Sequence, residues 1–417
     1  MGMRIPEEET SRLRETILSE IDMTRDLADE DVYRIVEETV GRYARKKMLT
    51  LKEREKLEQM LFHSMRKLDV LQELLEDEDI TEIMVNGTDH IFYEKRGQLY
   101  RSEKRFSSGE KLNDVIQQIV GGSNRMINEA SPIVDARLAD GSRVNIVLAP
   151  IALDGSAISI RKFPKEPIRM ADLIAMDTLT GEAAEVLKVL VEAGYNIFIS
   201  GGTGSGKTTF LNALSQYIPG EARIITIEDS AELQLLDKPN LVRLETRNMN
   251  TPGVAPITIR DLIRTALRMR PSRIIVGECR GAEALDVLWA MNTGHDGSLS
   301  TGHANSCRDM LGRLETMVLM GMELPLAAIR SQIASGIDIL VHLGRLRDKS
   351  RRVLSIAEIE GISQGEIKLN ELFCFVEKES SKGKVCGQLV RKGKLIHTEK
   401  CKVAGISFPE SGIGEEK

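Results

Sequence analysis

The sequence predicts an α/β domain preceded by a smaller α+β domain and by a helical N-terminal extension. Three observations support this. From residue 182 to about 345, short β-branched runs such as 224–227 and 274–276 alternate with helical patterns, which is typical of a parallel sheet. A glycine-rich loop at 201–208 stands between a strand pattern and a helix pattern. Upstream, Asn-Gly and Asp-Gly pairs separate short apolar runs, which indicates hairpins.

Residues 1–68 form the predicted helical extension. Their charges are mixed in sign, and apolar residues recur at helical spacing at Leu13, Ile17, Ile21, Val32, Ile35, Val36 and Val40. The pattern predicts two or three amphipathic helices. Two interpretations stay open: a docking arm or helical bundle, and a solvated extension.

Residues 69–162 form the predicted α+β domain. Hairpins are expected around Asn86-Gly87 and Asp140-Gly141, a further strand at 157–160, and a helix at 111–120. Pro164 and Pro167 then place a linker at 163–175.

The α/β domain is expected over residues 176–376. It begins with a helix at 182–193 that Gly194 ends, followed by a strand at 195–199, and it closes with strands after residue 346. Residues 377–417 are rich in Lys, Gly and Ser, which predicts a basic and loosely ordered tail.

Composition excludes several classes of protein. The net charge of −6 argues against a primary nucleic-acid binder. No apolar stretch approaches the length of a membrane-spanning helix, and the first residues show neither a signal core nor a lipidation motif. The five cysteines form no C-x-x-C pair, which favours a reduced, cytosolic protein with incidental thiols.

The loop at 201–208 reads G-x-x-x-x-G-K-T, a phosphate-binding P-loop that predicts ATP chemistry. Its backbone N–H groups would surround phosphate oxygens, and the following helix would add its N-terminal partial charge. Lys207 would reach the β- and γ-phosphates, and the Thr208 hydroxyl would ligate Mg²⁺. The predicted nucleotide-binding set is Gly201, Gly202, Thr203, Gly204, Ser205, Gly206, Lys207, Thr208 and Thr209. The alternative is a glycine turn that binds nothing.

Acidic residues follow two predicted strands. The strand at 224–227 leads into Glu228–Glu232, and the strand at 274–276 leads into Gly277-Glu278. Because ligands of open α/β sheets bind at the carboxyl ends of the strands, both sets are expected to face the nucleotide. The alternative is that these acids cap following helices, with Asp229 or Ser230 in that role.

Arg260, Arg264 and Arg268 are spaced four residues apart, which places them on one face of a predicted helix. Such a row could stabilise charge on a γ-phosphate, including that of a neighbouring subunit. The alternative is a solvated face with surface ion pairs. Arg243 and Arg247 raise the same question.

His303 lies in Thr301-Gly302-His303-Ala304, after another predicted strand, and could sense the γ-phosphate through a hydrogen bond. A structural role is the alternative. A zinc site formed by Cys279, His295, His303 and Cys307 is a further alternative, although its spacing fits no familiar zinc pattern.

From about residue 70 to 376 the chain resembles the type II/type IV secretion ATPase superfamily, and most of all the CpaF-like ATPases of tight-adherence (Tad/Flp) pilus assembly. The residues that carry the resemblance are the segments 75–77, 80–87, 201–208, 225–233, 273–278 and 301–304. The resemblance implies a RecA-like P-loop ATPase domain. Type II secretion relatives carry two C-x-x-C pairs for zinc, which this chain lacks.

The resemblance also implies roles for particular residues. Lys207 and Thr208 would belong to Walker A, Glu232 would orient or deprotonate water, and Glu278 would be the Walker B acid that contacts Mg²⁺ through water. His303 would be the histidine-box residue. Arg264 and Arg268 would engage phosphates, and Arg143 and Arg161 would approach them from the N-terminal domain.

At the level of the whole protein, the resemblance implies a hexameric ATPase at the inner face of the cytoplasmic membrane, with integral-membrane platform proteins as partners and ATP and Mg²⁺ as ligands. Nucleotide between two domains would convert hydrolysis into domain rotation. Three alternatives remain: a type IV secretion or DNA-transfer motor, a nucleotide-gated scaffold with little turnover, and a P-loop kinase.

Overall fold

The computed structural model describes residues 7–21, 27–122, 125–163, 166–247, 255–378 and 384–409. These residues form two compact units. The first contains the described residues up to 163, and the second contains those from 166 onward.

The first unit opens with helices that pack on one another. Ile17, Val36 and Val40 are fully buried in a core that they share with Leu57 and Leu61. Thr50 caps the third helix in a reciprocal capping box with Glu53. This packing favours a helical bundle over a solvated extension. The helices of the unit are α1 (Glu7–Glu20), α2 (Asp29–Lys47), α3 (Leu51–Arg66), α4 (Gln72–Glu76) and α5 (Gly109–Gly121), with a 3₁₀ turn at Asp69–Leu71.

The same unit contains a six-stranded antiparallel sheet in the order β3-β2-β1-β6-β5-β4. Buried and exposed residues alternate along three adjacent strands of this sheet, β4, β5 and β6, so one face packs on α5 while the other faces solvent. The strands are β1 (Ile80–Asn86), β2 (His90–Lys95), β3 (Gln98–Arg101), β4 (Ile133–Arg137), β5 (Arg143–Val147) and β6 (Ala157–Arg161).

The second unit contains a nine-stranded sheet in the order β15-β14-β13-β12-β7-β11-β10-β8-β9. The six strands from β12 to β9 in this order are parallel, and the other three continue the sheet in antiparallel fashion. The strands are β7 (Ile197–Gly201), β8 (Ile224–Glu228), β9 (Leu241–Glu245), β10 (Arg273–Cys279), β11 (Leu299–Gly302), β12 (Ile339–Arg345), β13 (Arg351–Ser363), β14 (Glu366–Lys378) and β15 (Cys386–Arg391).

Helices cover both faces of this sheet, which is why its central strands are buried throughout. Along β7, Ile197 and Ile199 enter one core, whereas Phe198 enters the core on the opposite face. The helices are α6 (Met170–Ala175), α7 (Gly181–Glu192), α8 (Lys207–Ser215), α9 (Ile259–Ala266), α10 (Ala284–Asn292), α11 (Cys307–Gly321), α12 (Leu326–Gly336) and α13 (Glu399–Ala404). None of the helices in the described ranges has both the length and the apolar character needed to cross a bilayer.

Two segments differ from the sequence-based expectation. The second half of the linker expected at 163–175 is α6, whose Met170 and Leu173 are buried in the core of the second unit. Beyond residue 376, where a loose tail was expected, β15 pairs with β14 and α13 buries Cys401. A few apolar side chains such as Leu389 pack into the core and hold this segment in place. They are too few to be recognised in a stretch whose overall composition is rich in Lys and Gly. Residues 379–383 and 410–417 of the expected tail lie outside the described residues.

Candidate nucleotide site

The P-loop lies at the carboxyl edge of the parallel sheet, between the end of β7 and the start of α8. Gly204 and Gly206 have φ angles of 71° and 95°, in the left-handed region that favours glycine. A methyl group added at Gly201 would lie 2.6 Å from the carbonyl oxygen of Leu343. The glycines at these positions are therefore required by the backbone path, as a phosphate-binding loop demands.

Lys207 points back into this loop. Its Nζ donates hydrogen bonds to the carbonyl oxygens of Gly201 and Gly202, both at 3.1 Å, and lies 3.3 Å from Nδ1 of His303. Burial lowers the pKa of Lys207. The hydroxyl of Ser205 is buried and has no partner among the described residues. A buried ammonium and an unsatisfied hydroxyl in one glycine loop fit an anionic ligand.

Glu278 connects Lys207 to a larger polar network. Its Oε1 lies 2.7 Å from Nε2 of His303, a contact without hydrogen-bond geometry. Its Oε2 accepts hydrogen bonds from Arg280 at 2.9 Å and 2.6 Å. The carboxylate raises the pKa of Arg280, whereas burial lowers the pKa of His303. The imidazole is therefore neutral near pH 7, and it links the P-loop lysine to the carboxylate.

The acidic segment after β8 lies at the same edge, because β8 pairs with β10. Glu228 ends β8, and its Oε2 accepts hydrogen bonds from the backbone N–H groups of Glu232 at 2.7 Å and Leu233 at 2.9 Å. Burial raises the pKa of Glu228 to about 7. Glu228 thus fixes the backbone that carries the half-buried Glu232.

The capping alternative for Asp229 does not hold. No helix follows β8 within the described residues 229–240, so Asp229 caps nothing there. Its backbone carbonyl accepts a hydrogen bond from Thr246 at 3.2 Å, and its carboxylate lies 3.9 Å from Arg280. Burial raises the pKa of Asp229.

The arginines of α9 differ in part from the expectation. Arg260 and Arg264 both pair with the buried Asp286, at 2.7 Å and 3.3 Å. The prediction that Arg268 shares their helical face is wrong, because α9 ends at Ala266 and Arg268 lies in the turn that follows. Pro271 is the sequence signal for this end, since helices stop before proline. No described hydrogen bond or ion pair joins Arg264 or Arg268 to the P-loop.

The two arginines expected from the N-terminal domain lie side by side in the first unit. Arg143 on β5 is directly opposite Arg161 on β6, and Arg137 on β4 is directly opposite Arg143. The register therefore brings three arginines side by side on this sheet. Arg137, which the sequence analysis did not single out, lies directly across the turn of the same hairpin from Arg143.

Arg280 was also missed, although it stands only two residues beyond Glu278. The zinc alternative is wrong: in the described ranges no three His, Cys, Asp or Glu side chains converge on a metal position. His303 instead contacts Lys207 and Glu278.

A hydroxyl and a carboxylate, oxygen donors of the type that Mg²⁺ takes, stand at this edge in Thr208 and Glu278. Thr208 lies in the first turn of α8 and is half-buried, as is its neighbour Thr209, while Gly202 and Thr203 are exposed in the loop. Thr208 and Glu278 would hold the ion, the latter through water. Bound there, Mg²⁺ would neutralise charge on the β- and γ-phosphate oxygens.

The chain is similar to known proteins over most of its length. The model of the family described as "Type II/IV secretion system protein" matches residues 65–401. A Mycobacterium tuberculosis protein named for conjugal transfer is 36% identical over 294 residues, which cover 69% of this chain and 83% of that protein. The type IV secretion system protein PtlH of Bordetella pertussis is 34% identical over 322 residues, covering 71% and 95%.

Among solved structures, the Legionella pneumophila ATPase DotB matches with a TM-score of 0.51 and 23% identity, covering 69% of this chain and 79% of that one. This likeness confirms the predicted α/β fold class with its preceding domain. The family match over residues 65–401, with relatives of 36% and 34% identity, shows that the chain belongs to the type II/IV secretion system protein family.

Proposed function

We propose that this chain is an ATPase that drives assembly of Tad/Flp-type pili as a homo-hexameric ring at the inner face of the cytoplasmic membrane. The observation that carries the ATPase proposal is the network in which His303 joins Lys207 of the P-loop to Glu278. The pilus assignment rests on the sequence resemblance to CpaF-like ATPases. Integral-membrane platform proteins would be the partners, and no nucleic acid is expected.

Binding of ATP would rearrange the contacts of Lys207. The phosphates would take the backbone N–H groups of the loop, and Lys207 would exchange the carbonyls of Gly201 and Gly202 for the β- and γ-phosphate oxygens. His303 would then lose one of its two neighbours. This makes the histidine a natural sensor of the γ-phosphate.

In the hydrolytic step, water attacks the γ-phosphorus, the bond to the β–γ bridging oxygen breaks, and ADP and phosphate leave. Glu232 would take the proton from water, on a backbone that Glu228 holds in place. Glu278 is committed to Arg280 and His303, which suits an anchored carboxylate better than a mobile base. We therefore assign the base to Glu232.

A second candidate is a type IV secretion or DNA-transfer motor. It is favoured by the names of two relatives, one of them named as a "Putative conjugal transfer protein" and the other as the type IV secretion system protein PtlH. Deletion of the gene in its host separates the two candidates. Loss of surface pili seen by electron microscopy, with DNA and protein transfer retained, supports pilus assembly, and the reverse supports the transfer motor.

Steady-state ATP hydrolysis at increasing protein concentration tests the ATPase and the ring. We expect the rate per subunit to rise with concentration as sites are completed by neighbours. Lys207→Ala should remove turnover and weaken nucleotide binding, and Glu278→Gln should bind ATP without hydrolysing it. Full turnover by Glu278→Gln would contradict the site assignment, and a chain that binds ATP but never turns over would favour a scaffold.

A further inference from the structure

The hairpin formed by β12 and β13 projects past the sheet edge beside the P-loop. β12 is parallel to β7 with Leu343 opposite Gly201, so its last residues continue beyond the point where β7 ends. β13 then returns in antiparallel register, which places Arg345 directly opposite Arg351. The sheet therefore delivers two arginines to the side of the phosphate-binding loop.

Both arginines approach the loop. Nε of Arg351 donates a hydrogen bond of 3.0 Å to the carbonyl oxygen of Gly204. A methyl group added at Gly206 would lie 3.5 Å from Cδ of Arg351, and one added at Gly204 would lie 3.9 Å from Nη1 of Arg345. The outer side of the P-loop is thus covered by guanidinium groups.

The other two arginines of this hairpin have acidic or carbonyl partners. Arg347 donates to Glu377 at 3.0 Å, and Arg352 donates to the backbone carbonyl of Asp177. Arg345 and Arg351 form no ion pair with a described carboxylate. Two like charges in register beside a phosphate-binding loop are unfavourable on their own, and a nucleotide would offset them.

We propose that this hairpin is a cationic wall of the nucleotide site. Arg351 is a positioning residue that holds the P-loop through Gly204, and Arg345 adds positive charge beside the polyphosphate of a nucleoside di- or triphosphate. The inference rests on the proposed function, and it adds to that function two residues that the known motifs do not contain.

The test is titration of the full chain with fluorescent ADP, together with KM and kcat for ATP and thermal unfolding. Arg351→Gln removes a hydrogen bond from a charged group to the loop, part of which water replaces, and should therefore weaken ADP binding by about tenfold. Arg345→Gln should weaken it less. KM should rise while kcat and the melting temperature stay near their original values.

Two variants control for general effects of charge. Arg347→Gln removes a cation from the same turn and should leave ADP binding unchanged. Arg351→Lys keeps a cation within reach of Gly204 and should recover part of the affinity. Equal binding by Arg351→Gln, or an equal loss in Arg347→Gln, would overturn the inference while leaving the proposed function in place. No ADP binding by the unaltered chain would overturn both.

Discussion

Glu228 shows how burial can set the chemistry of a single residue. Its side chain is only 3% exposed, and the hydrogen bonds from Glu232 and Leu233 reach one carboxylate oxygen. The other oxygen is buried without a described partner. Desolvation therefore outweighs those hydrogen bonds, and the pKa rises from 4.5 to about 7.

This shift predicts a pH-dependent stability that Glu228→Gln removes. The folded state holds a proton that the unfolded chain releases near pH 4.5, so the contribution of Glu228 is complete below that pH and is lost as pH rises through about 7. Glutamine does not titrate and keeps a carbonyl oxygen for the backbone N–H groups. From about pH 5 to about pH 8, the melting temperature of the unaltered protein should fall relative to the variant.

Thermal unfolding without nucleotide measures this difference. The exposed Glu323 offers a matched control, because Glu323→Gln removes a carboxylate that has no described contact. Parallel curves for the unaltered protein and Glu228→Gln would show that Glu228 does not carry the proton.

At the scale of elements, α9 presents two arginines to one buried carboxylate. Arg260 and Arg264 both pair with Asp286, whose side chain is 2% exposed. The side chain of Arg260 is 30% exposed and that of Arg264 is 60% exposed. The pair therefore divides into an arginine held against the protein and one that extends into solvent.

The difference in exposure between the two arginines predicts that substitution of Arg260 affects stability and substitution of Arg264 affects turnover. Arg260→Gln should destabilise the fold by about 1–2 kcal/mol, because it leaves the buried Asp286 with Arg264 as its remaining ionic partner. The charge of Arg264 is partly screened by solvent. Arg264→Gln should cost little stability but lower kcat by about tenfold or more, as expected for an arginine that stabilises transferred phosphate. Melting temperatures and ATP turnover of both variants measure this, and full turnover by Arg264→Gln would remove Arg264 from the site.

The sequence predicted those elements whose signals are local. The strand, glycine loop and helix around Lys207 are encoded by adjacent residues, and so are the hairpins around Asn86-Gly87 and Asp140-Gly141. The end of α9 before Arg268 was also encoded locally, by Pro271. The four-residue spacing of the arginines predicted a helix that continues through Arg268 instead.

Contacts between distant segments could not be predicted in this way. The approach of Arg351 to Gly204 depends on β12 lying beside β7, and sequence periodicity does not specify strand order. The pairing of β15 with β14 could not be predicted either. An edge strand with few apolar residues has the same composition as a loosely ordered tail. The approach of Arg280 to Asp229 depends likewise on β8 lying beside β10.

At the scale of the whole molecule, some candidate catalytic residues contact one another within the chain and others do not. Lys207 and Glu278 are joined through His303 within the second unit, so they belong to one site in one chain. Arg264 has no described contact with them and pairs with Asp286 instead. We propose that Arg264 completes the site of a neighbouring subunit in the proposed ring.

Mixing an inactive variant with a strongly impaired one tests that arrangement. Lys207→Ala subunits keep Arg264, and Arg264→Gln subunits keep an intact P-loop. If Arg264 acts in trans, random mixing in equal amounts gives a complete site at about one quarter of the interfaces of a closed ring. Turnover should therefore appear in the co-expressed mixture and exceed that of either variant alone.

The matched control is a mixture of Lys207→Ala with Glu278→Gln. Lys207 and Glu278 lie in the same network of one chain, so no interface of this mixture contains a complete site and turnover should stay at background. Turnover in the first mixture and not in the second requires that Arg264 and the P-loop of a working site come from different subunits. If both mixtures are silent although the subunits have exchanged, the trans role of Arg264 is wrong, and the loss of turnover in Arg264→Gln must arise within its own chain.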